Sequence, residues 1–203
     1  VEGAQGLDFE RLLSPNTFCE RSVMFDLNYF KYCFLKTADL PFDEMRLEDD
    51  FEALTKDLLE GVDNEAFFLY RDFQSRNVMI CDTNSYMIDF QGGRWGPLPY
   101  DVASFLWQAS AGYPQALRDR LIEEYLDELN SLRPVDREQF RSDLRRFVLF
   151  RLLQVLGAYG LRGRFERKPY FLQSIPPALE NVHALLATGV ASAYPTLESV
   201  LRK

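Results

Sequence analysis

Apolar residues recur at helical spacing along most of this chain. Between Thr17 and about Ala38, Val23, Leu27, Phe30 and Phe34 share one face, and Met24, Tyr29, Cys33 and Leu35 widen it, which predicts a long helix central to its domain. A second helix is expected from about Leu47 to Glu60, with Phe51, Leu54, Leu58 and Leu59 inward and Gly61 as its stop signal. A short helical turn is expected around Phe9 to Leu13. Pro97 and Pro99 lead into a helix from about Tyr100 to Ala109, and Leu117, Leu121, Tyr125 and Leu129 mark another between Pro114 and Asn130. Phe140, Leu144, Phe147, Val148, Leu152, Val155, Leu156 and Tyr159 mark a longer one from about Asp136 to Tyr159, with Gly157, Gly160 and Gly163 expected to fray its end. Pro176 and Pro177 are read as the start of a helix reaching about Ala187, and the last runs from roughly Tyr194 to Leu201.

One stretch, Phe67 to Gln91, departs from this pattern. Phe67, Phe68 and Leu69 form an apolar run of strand type, and Tyr70 to Asn77 then spends its residues on charge and amide. Val78 to Cys81 and Tyr86 to Ile88 read as the arms of a hairpin, joined by a polar turn from Asp82 to Ser85. The fold class is therefore α+β and mostly helical, a single domain with a small hairpin and with no repeat or linker.

The hairpin's open end carries the candidate chemistry. Antiparallel pairing of the arms is expected to bring Asn77 beside Asp89, an amide oxygen and a carboxylate suited to a hard cation such as Mg²⁺. Asp72, in the same loop as Asn77, would face a nucleophile approaching a metal-bound phosphate and accept or orient its hydroxyl proton. Phosphoryl transfer is mostly positioning and charge neutralisation, so three oxygen-bearing side chains on one platform suit it. After the hairpin, Gln91-Gly92-Gly93-Arg94-Trp95-Gly96-Pro97 reads as a mobile segment beside the acceptor site, with a plain connector as the alternative, and its glycines permit unusual backbone conformations. Gln91, Arg94 and, in the loop itself, Arg76 are the expected substrate-proximal side chains.

The spacing Asp72-x-x-x-x-Asn77, followed by Ile88-Asp89-Phe90 and by Gly96-Pro97-Leu98-Pro99-Tyr100-Asp101-Val102-Ala103, resembles the aminoglycoside phosphotransferase and choline kinase-like family. Within it, the stretches RDFQSRNVMI and IDFQGGRWGPLPYDVASFL are most similar to sugar kinases that phosphorylate N-acetylmuramate and N-acetylglucosamine at the anomeric hydroxyl. The resemblance implies a kinase-like fold with ATP and Mg²⁺ as cofactors, Asp72 as catalytic base and Asn77 and Asp89 as metal ligands. It gives supporting roles to Tyr70, Arg71 and Asp101, with Asp101 holding the catalytic loop from behind. Tyr70 stands where the family usually has His. A glycine-rich phosphate-covering loop and a strand lysine do not precede the motif, so the chain is expected to be the C-terminal lobe of a two-lobed enzyme, with the N-terminal lobe as missing partner. Aminoglycosides and choline-like alcohols are rival acceptors, and a catalytically silent interaction module is the rival from another class.

Composition narrows the partners. The 203 residues include 47% hydrophobic ones, enough for a sizeable core. A net charge of −8 argues against nucleic acid, which is bound through clustered Lys and Arg. Arg162, Arg164, Arg167 and Lys168 form a basic cluster, read as a solvated loop that could otherwise meet an anionic ligand. Cys19, Cys33 and Cys81 have no paired spacing, and Cys81 is expected to pack within its strand. No apolar run reaches about 18 residues, so no membrane partner is expected and the location is read as cytoplasmic. His183, the lone histidine, is given a structural place. The isolated chain is expected to transfer phosphate from Mg·ATP poorly or not at all; robust turnover in a kinase assay would overturn the one-lobe reading.

Overall fold

In the computed structural model, which describes residues 6, 8, 14–60 and 67–203, helix α1 (Glu20–Phe30) continues through a π-helical turn (Lys31–Leu35) and a 3-10 turn (Lys36–Ala38). The turn expected at Phe9 to Leu13 and the stop at Gly61 lie outside the described residues. Helix α2 (Glu44–Leu59) starts earlier than its apolar pattern suggests, because the Asp43 carboxylate accepts from Met45 N and Arg46 N at 3.1 and 3.2 Å and supplies the cap.

Strand β1 (Phe68–Leu69) and the ribbon β2 (Val78–Cys81) and β3 (Asn84–Met87) follow, then β4 (Arg94–Trp95). Two small antiparallel sheets result, β1 with β4 and β2 with β3. Thr17 does not begin the first helix. It is extended and bridges Trp95 in parallel, with Phe18 N donating to Trp95 O at 2.8 Å. Within the glycine-rich segment, Arg94 and Trp95 form β4. Gly93 and Gly96 serve close approach instead of unusual φ: a Cβ on Gly93 would lie 2.5 Å from the Phe68 ring, and one on Gly96 2.7 Å from Leu69.

Helices α3 (Leu98–Leu106), α4 (Gln115–Leu132), α5 (Arg137–Tyr159), α6 (Pro169–Leu186) and α7 (Pro195–Leu201) complete the chain. The central helix is α5, not α1. Phe147 to Phe150, Leu152, Leu153 and Leu156 are buried around most of its circumference, and it meets α1, α2, α3 and α6. Helix α1 is buried on Val23, Leu27 and Phe30 but leaves Phe25 exposed. The buried face of α4 runs through Arg118, Ile122, Leu126 and Leu129, rotated from the expected Leu117–Leu121–Tyr125 line. Pro176 and Pro177 lie inside α6, whose start is Pro169 at N1; burial of Ser174, Ile175, Ala178 and Val182 outweighs the interior prolines. His183 and Cys81 are both exposed.

Gly157, Gly160 and Gly163 do not fray α5. The chain carries on as a π-helical stretch (Gly160–Phe165), and the glycines let backbones touch. A Cβ on Gly160 would lie 2.0 Å from the Cys33 carbonyl oxygen, and one on Gly157 3.0 Å from Phe30 N. Gly160→Ala is therefore expected to destabilise the fold by about 1–3 kcal/mol or more, measured by urea unfolding, because the Cys33 carbonyl and Phe34 Cα that it would meet are backbone.

Candidate active site

The loop from Tyr70 to Asn77 is pinned at each part of its length. At its start, Tyr70 N and Arg71 N donate to the two oxygens of Asp101 at 2.6 and 2.9 Å, from the first turn of α3. This lets Arg71 hold a left-handed φ of 74°. Phe73 stacks on Phe105 at 4.7 Å between centroids and lies against Tyr70. Further on, Ser75 N and Oγ both donate to Gln108 Oε1 at 2.9 Å. At the end, Asn77 Nδ2 donates to the Asp72 carbonyl at 2.9 Å, closing the loop on itself.

The result presents the Asp72 carboxylate to a cavity of about 540 Å³. Asp72 keeps 48% of its side chain exposed while Arg151, 12% exposed, donates to its Oδ1 at 2.9 Å. Arg151 belongs to a chain of polar groups across α5. It donates to Gln154 Oε1 at 2.5 Å, Tyr100 Oη donates to the same oxygen at 2.6 Å, and Gln154 Nε2 donates to Asp26 Oδ2 at 2.6 Å. Burial works against the Arg151 charge, yet Tyr100 and Asp72 beside it hold it more firmly protonated than usual. Burial raises the Asp26 carboxyl above its ordinary range, opposed by Arg71, whose guanidinium lies 3.6 Å away, and by Arg151.

The hairpin differs in register from expectation. Cys81 pairs with Asn84, so the turn is two residues, Asp82 and Thr83, with Asp82 left-handed at φ 53°. Val78 pairs with Met87, and Ile88 N donates to Asn77 O at 3.0 Å. Asn77 therefore faces Ile88, and Asp89 follows one residue beyond at a left-handed φ of 68°. Asp89 lines the cavity with Asp72, Arg71, Arg76 and Gln91, whereas Asn77 is 5% exposed behind the loop and is not among the lining residues. Tyr70 Oη donates to the Ile88 carbonyl and so ties the loop to the residue before Asp89. Burial, then the charges of Asp89, Asp101 and Asp72, push its hydroxyl pKa up.

The donor chemistry suits a hard cation. Asn77 commits its Nδ2 and keeps Oδ1, while Asp89 Oδ1 accepts from Gln91 Nε2 at 2.6 Å and Oδ2 remains. Among the described residues no group of three His, Cys, Asp or Glu could hold a metal unaided. Two oxygen ligands completed by water and substrate phosphate is the pattern Mg²⁺ favours.

Arg94 is the expected site residue that the structure removes. It pairs with Leu69 in the β1–β4 sheet, is 5% exposed and does not line the cavity. Burial, then Arg71, lowers its pKa, and its Nε has no hydrogen-bond partner among the described residues. Conversely, Asp26, Arg151 and Gln154 enter the site from distant helices. Their signal in the sequence is a charged or amide group interrupting an apolar run, as Arg151 does between Phe150 and Leu152.

A profile of the phosphotransferase enzyme family matches residues 25–136, more than half of the chain. N-acetylmuramate/N-acetylglucosamine kinase of Pseudomonas putida is 26% identical over 111 residues, covering 53% of this chain and 33% of that protein. The protein of the same name from Pseudomonas aeruginosa is 27% identical over 112 residues, 54% of this chain and 33% of that protein. The match thus spans about a third of the length of these curated relatives.

Burial pushes the Asp101 carboxyl from 3.8 up to about 6 against the pull of its two backbone donors. Its contribution to stability is thus fully present below pH 3.8 and is lost as pH rises through about 6, while the ionised form that best accepts both loop bonds is gained over the same rise. Asp101→Asn sets an amide N–H against one backbone N–H. It is expected to remove this pH-dependent step from urea-unfolding stability and to speed hydrogen exchange at Tyr70 and Arg71 by about tenfold, the value of one hydrogen bond. Exchange as slow as in the parent would contradict the clamp.

Proposed function

This chain belongs to the phosphotransferase enzyme family, and from that premise we propose that it forms the C-terminal, catalytic-loop lobe of an ATP- and Mg²⁺-dependent kinase acting on a hydroxyl of an amino sugar. The observation that carries the reading is the Asp72 carboxylate, open to the cavity while the loop around it is tied to Asp101, Gln108 and Asn77. The family match supports phosphoryl transfer, and the names of the two Pseudomonas relatives support an N-acetylhexosamine acceptor. Three free cysteines are compatible with a reducing, cytoplasmic setting, and no described helix is long and apolar enough to cross a membrane.

The acceptor hydroxyl approaches Asp72, whose carboxylate takes the proton as the oxygen bonds to the terminal phosphorus and the bond to the leaving nucleoside diphosphate breaks. Arg151 fixes the Asp72 rotamer, so the base meets the hydroxyl without searching for it. Asn77 Oδ1 and Asp89 would hold Mg²⁺, which when bound neutralises phosphate charge. Tyr70 keeps the hairpin end in place through Ile88. Gln91 steadies the Asp89 carboxylate. The remainder of the enzyme would clamp the nucleotide against the exposed hairpin, where Met79, Tyr86 and Met87 stand open and Ile80 is 71% exposed.

In the complete protein, Asp72→Asn is expected to lower kcat by about 10²- to 10⁴-fold while nucleotide binding by calorimetry survives, the range a positioned general base contributes. Asp89→Ala is expected to weaken Mg²⁺-dependent nucleotide binding itself. Activity in Asp72→Asn equal to that of an active parent would remove the base, and a complete protein that turns over none of N-acetylhexosamines, aminoglycosides or choline would favour a silent interaction module.

A further inference from the structure

The structure splits the basic cluster after α5 into residues with different tasks. Arg164 turns inward, donating to Phe34 O at 3.2 Å and Thr37 Oγ1 at 3.0 Å and lying 4.4 Å over the Phe34 ring. Lys168 pairs with Glu166 at 2.7 Å. Arg162 alone of the cluster lines the Asp72 cavity. Its nearest carboxylate is the same Glu166 at 3.7 Å, and Lys168 is the chief cause of that carboxyl's lowered pKa. Arg162 is thus the member of the cluster with charge to spare at the cavity.

The other cavity charges are accounted for differently. Arg151 is bound to Asp72, and Arg71 lies against Asp26. Arg76 has no ion pair among the described residues, but it sits in the Asp72 loop itself, four residues from the proposed base. The lining therefore holds four arginines, Arg71, Arg76, Arg151 and Arg162, against Asp26, Asp72 and Asp89, in a chain whose net charge is −8. Aromatic surface flanks Arg162: it lies 6.0 Å over the Phe171 ring and acts electrostatically on the Tyr29 hydroxyl across the cavity. Such a wall accepts the apolar face of a pyranose ring, while the guanidinium can take a carboxylate in a forked pair. A polycationic acceptor would meet the arginines without enough acids to offset them.

Resting on the amino-sugar reading above, we infer that Arg162 is the specificity-determining residue that receives a carboxylate substituent of the acceptor, so that the site prefers an acidic N-acetylhexosamine over its neutral parent and excludes polycationic sugars.

The test uses the complete enzyme with Mg·ATP and two acceptors that differ only in a 3-O-lactyl carboxylate, N-acetylmuramate and N-acetylglucosamine. The quantity read is the ratio of their kcat/KM values. Arg162→Gln is expected to lower that ratio by about ten- to a hundredfold, chiefly through the KM of the acidic sugar, as loss of a charge-assisted pair requires. Arg162→Lys is expected to restore much of it. A ratio unchanged in Arg162→Gln, or an aminoglycoside used as well as either sugar, overturns the assignment while leaving the amino-sugar reading intact. A parent enzyme that phosphorylates neither sugar overturns both. Melting temperatures of the variants matching the parent's exclude a folding defect, and because the ratio is taken within one preparation, partial unfolding cannot imitate the effect.

Discussion

The carboxylate of Asp101 sets the course of the loop that presents Asp72 to the cavity. Two successive backbone N–H groups end on its two oxygens, and successive amides converge on one acceptor only if the backbone bends sharply between them. Arg71 takes up that bend in a left-handed conformation, disfavoured for a residue with a side chain and tolerated where surrounding bonds over-determine it. The bend turns Asp72 toward the cavity, and the Asn77 amide seals the same loop from the other side. Helix α3 thus acts as the mould and the loop as the casting.

Helix α5 does two jobs. Phe147, Val148, Leu149 and Phe150 bury apolar surface, while Arg151, Gln154, Val155 and Tyr159 line the cavity. Introducing Arg and Gln into the most buried helix carries a desolvation cost that only complete pairing can offset. Pairing is supplied from three directions, by Asp72 from the loop, Tyr100 from α3 and Asp26 from α1. The polar chain consequently registers three elements against one another, a specificity that apolar contacts, being non-directional, do not provide.

The candidate site is legible in the sequence where its geometry depends on local spacing. Asp72, Asn77, Asp89 and Asp101 all lie within one continuous stretch, and the turn, strand and helix-start signals around them constrain where each group falls. Arg151 and Asp26 could not be placed because their partners lie far along the chain, and periodicity reports only that a polar group interrupts an apolar face. Arg94 shows the opposite failure. Beside three glycines it reads as available, but pairing of β4 with β1 turned it inward, and nothing local announced a two-residue strand partnered far upstream. The role of Gly160 is hidden from the sequence for a related reason, since an interior glycine looks like weakness until the facing backbone at Cys33 is known.

Among the described residues the β2–β3 ribbon has two strands, so each turns an outward edge that no described strand pairs, and its faces hold Met79, Ile80, Tyr86 and Met87 in the open. Natural sheets guard such edges with lysine, proline or a covering element, and this ribbon has neither residue between Val78 and Met87. Handled without a cover, it offers a template onto which a second ribbon can add edge to edge, making solubility at high concentration, and not folding itself, the property most sensitive to what sits above the hairpin.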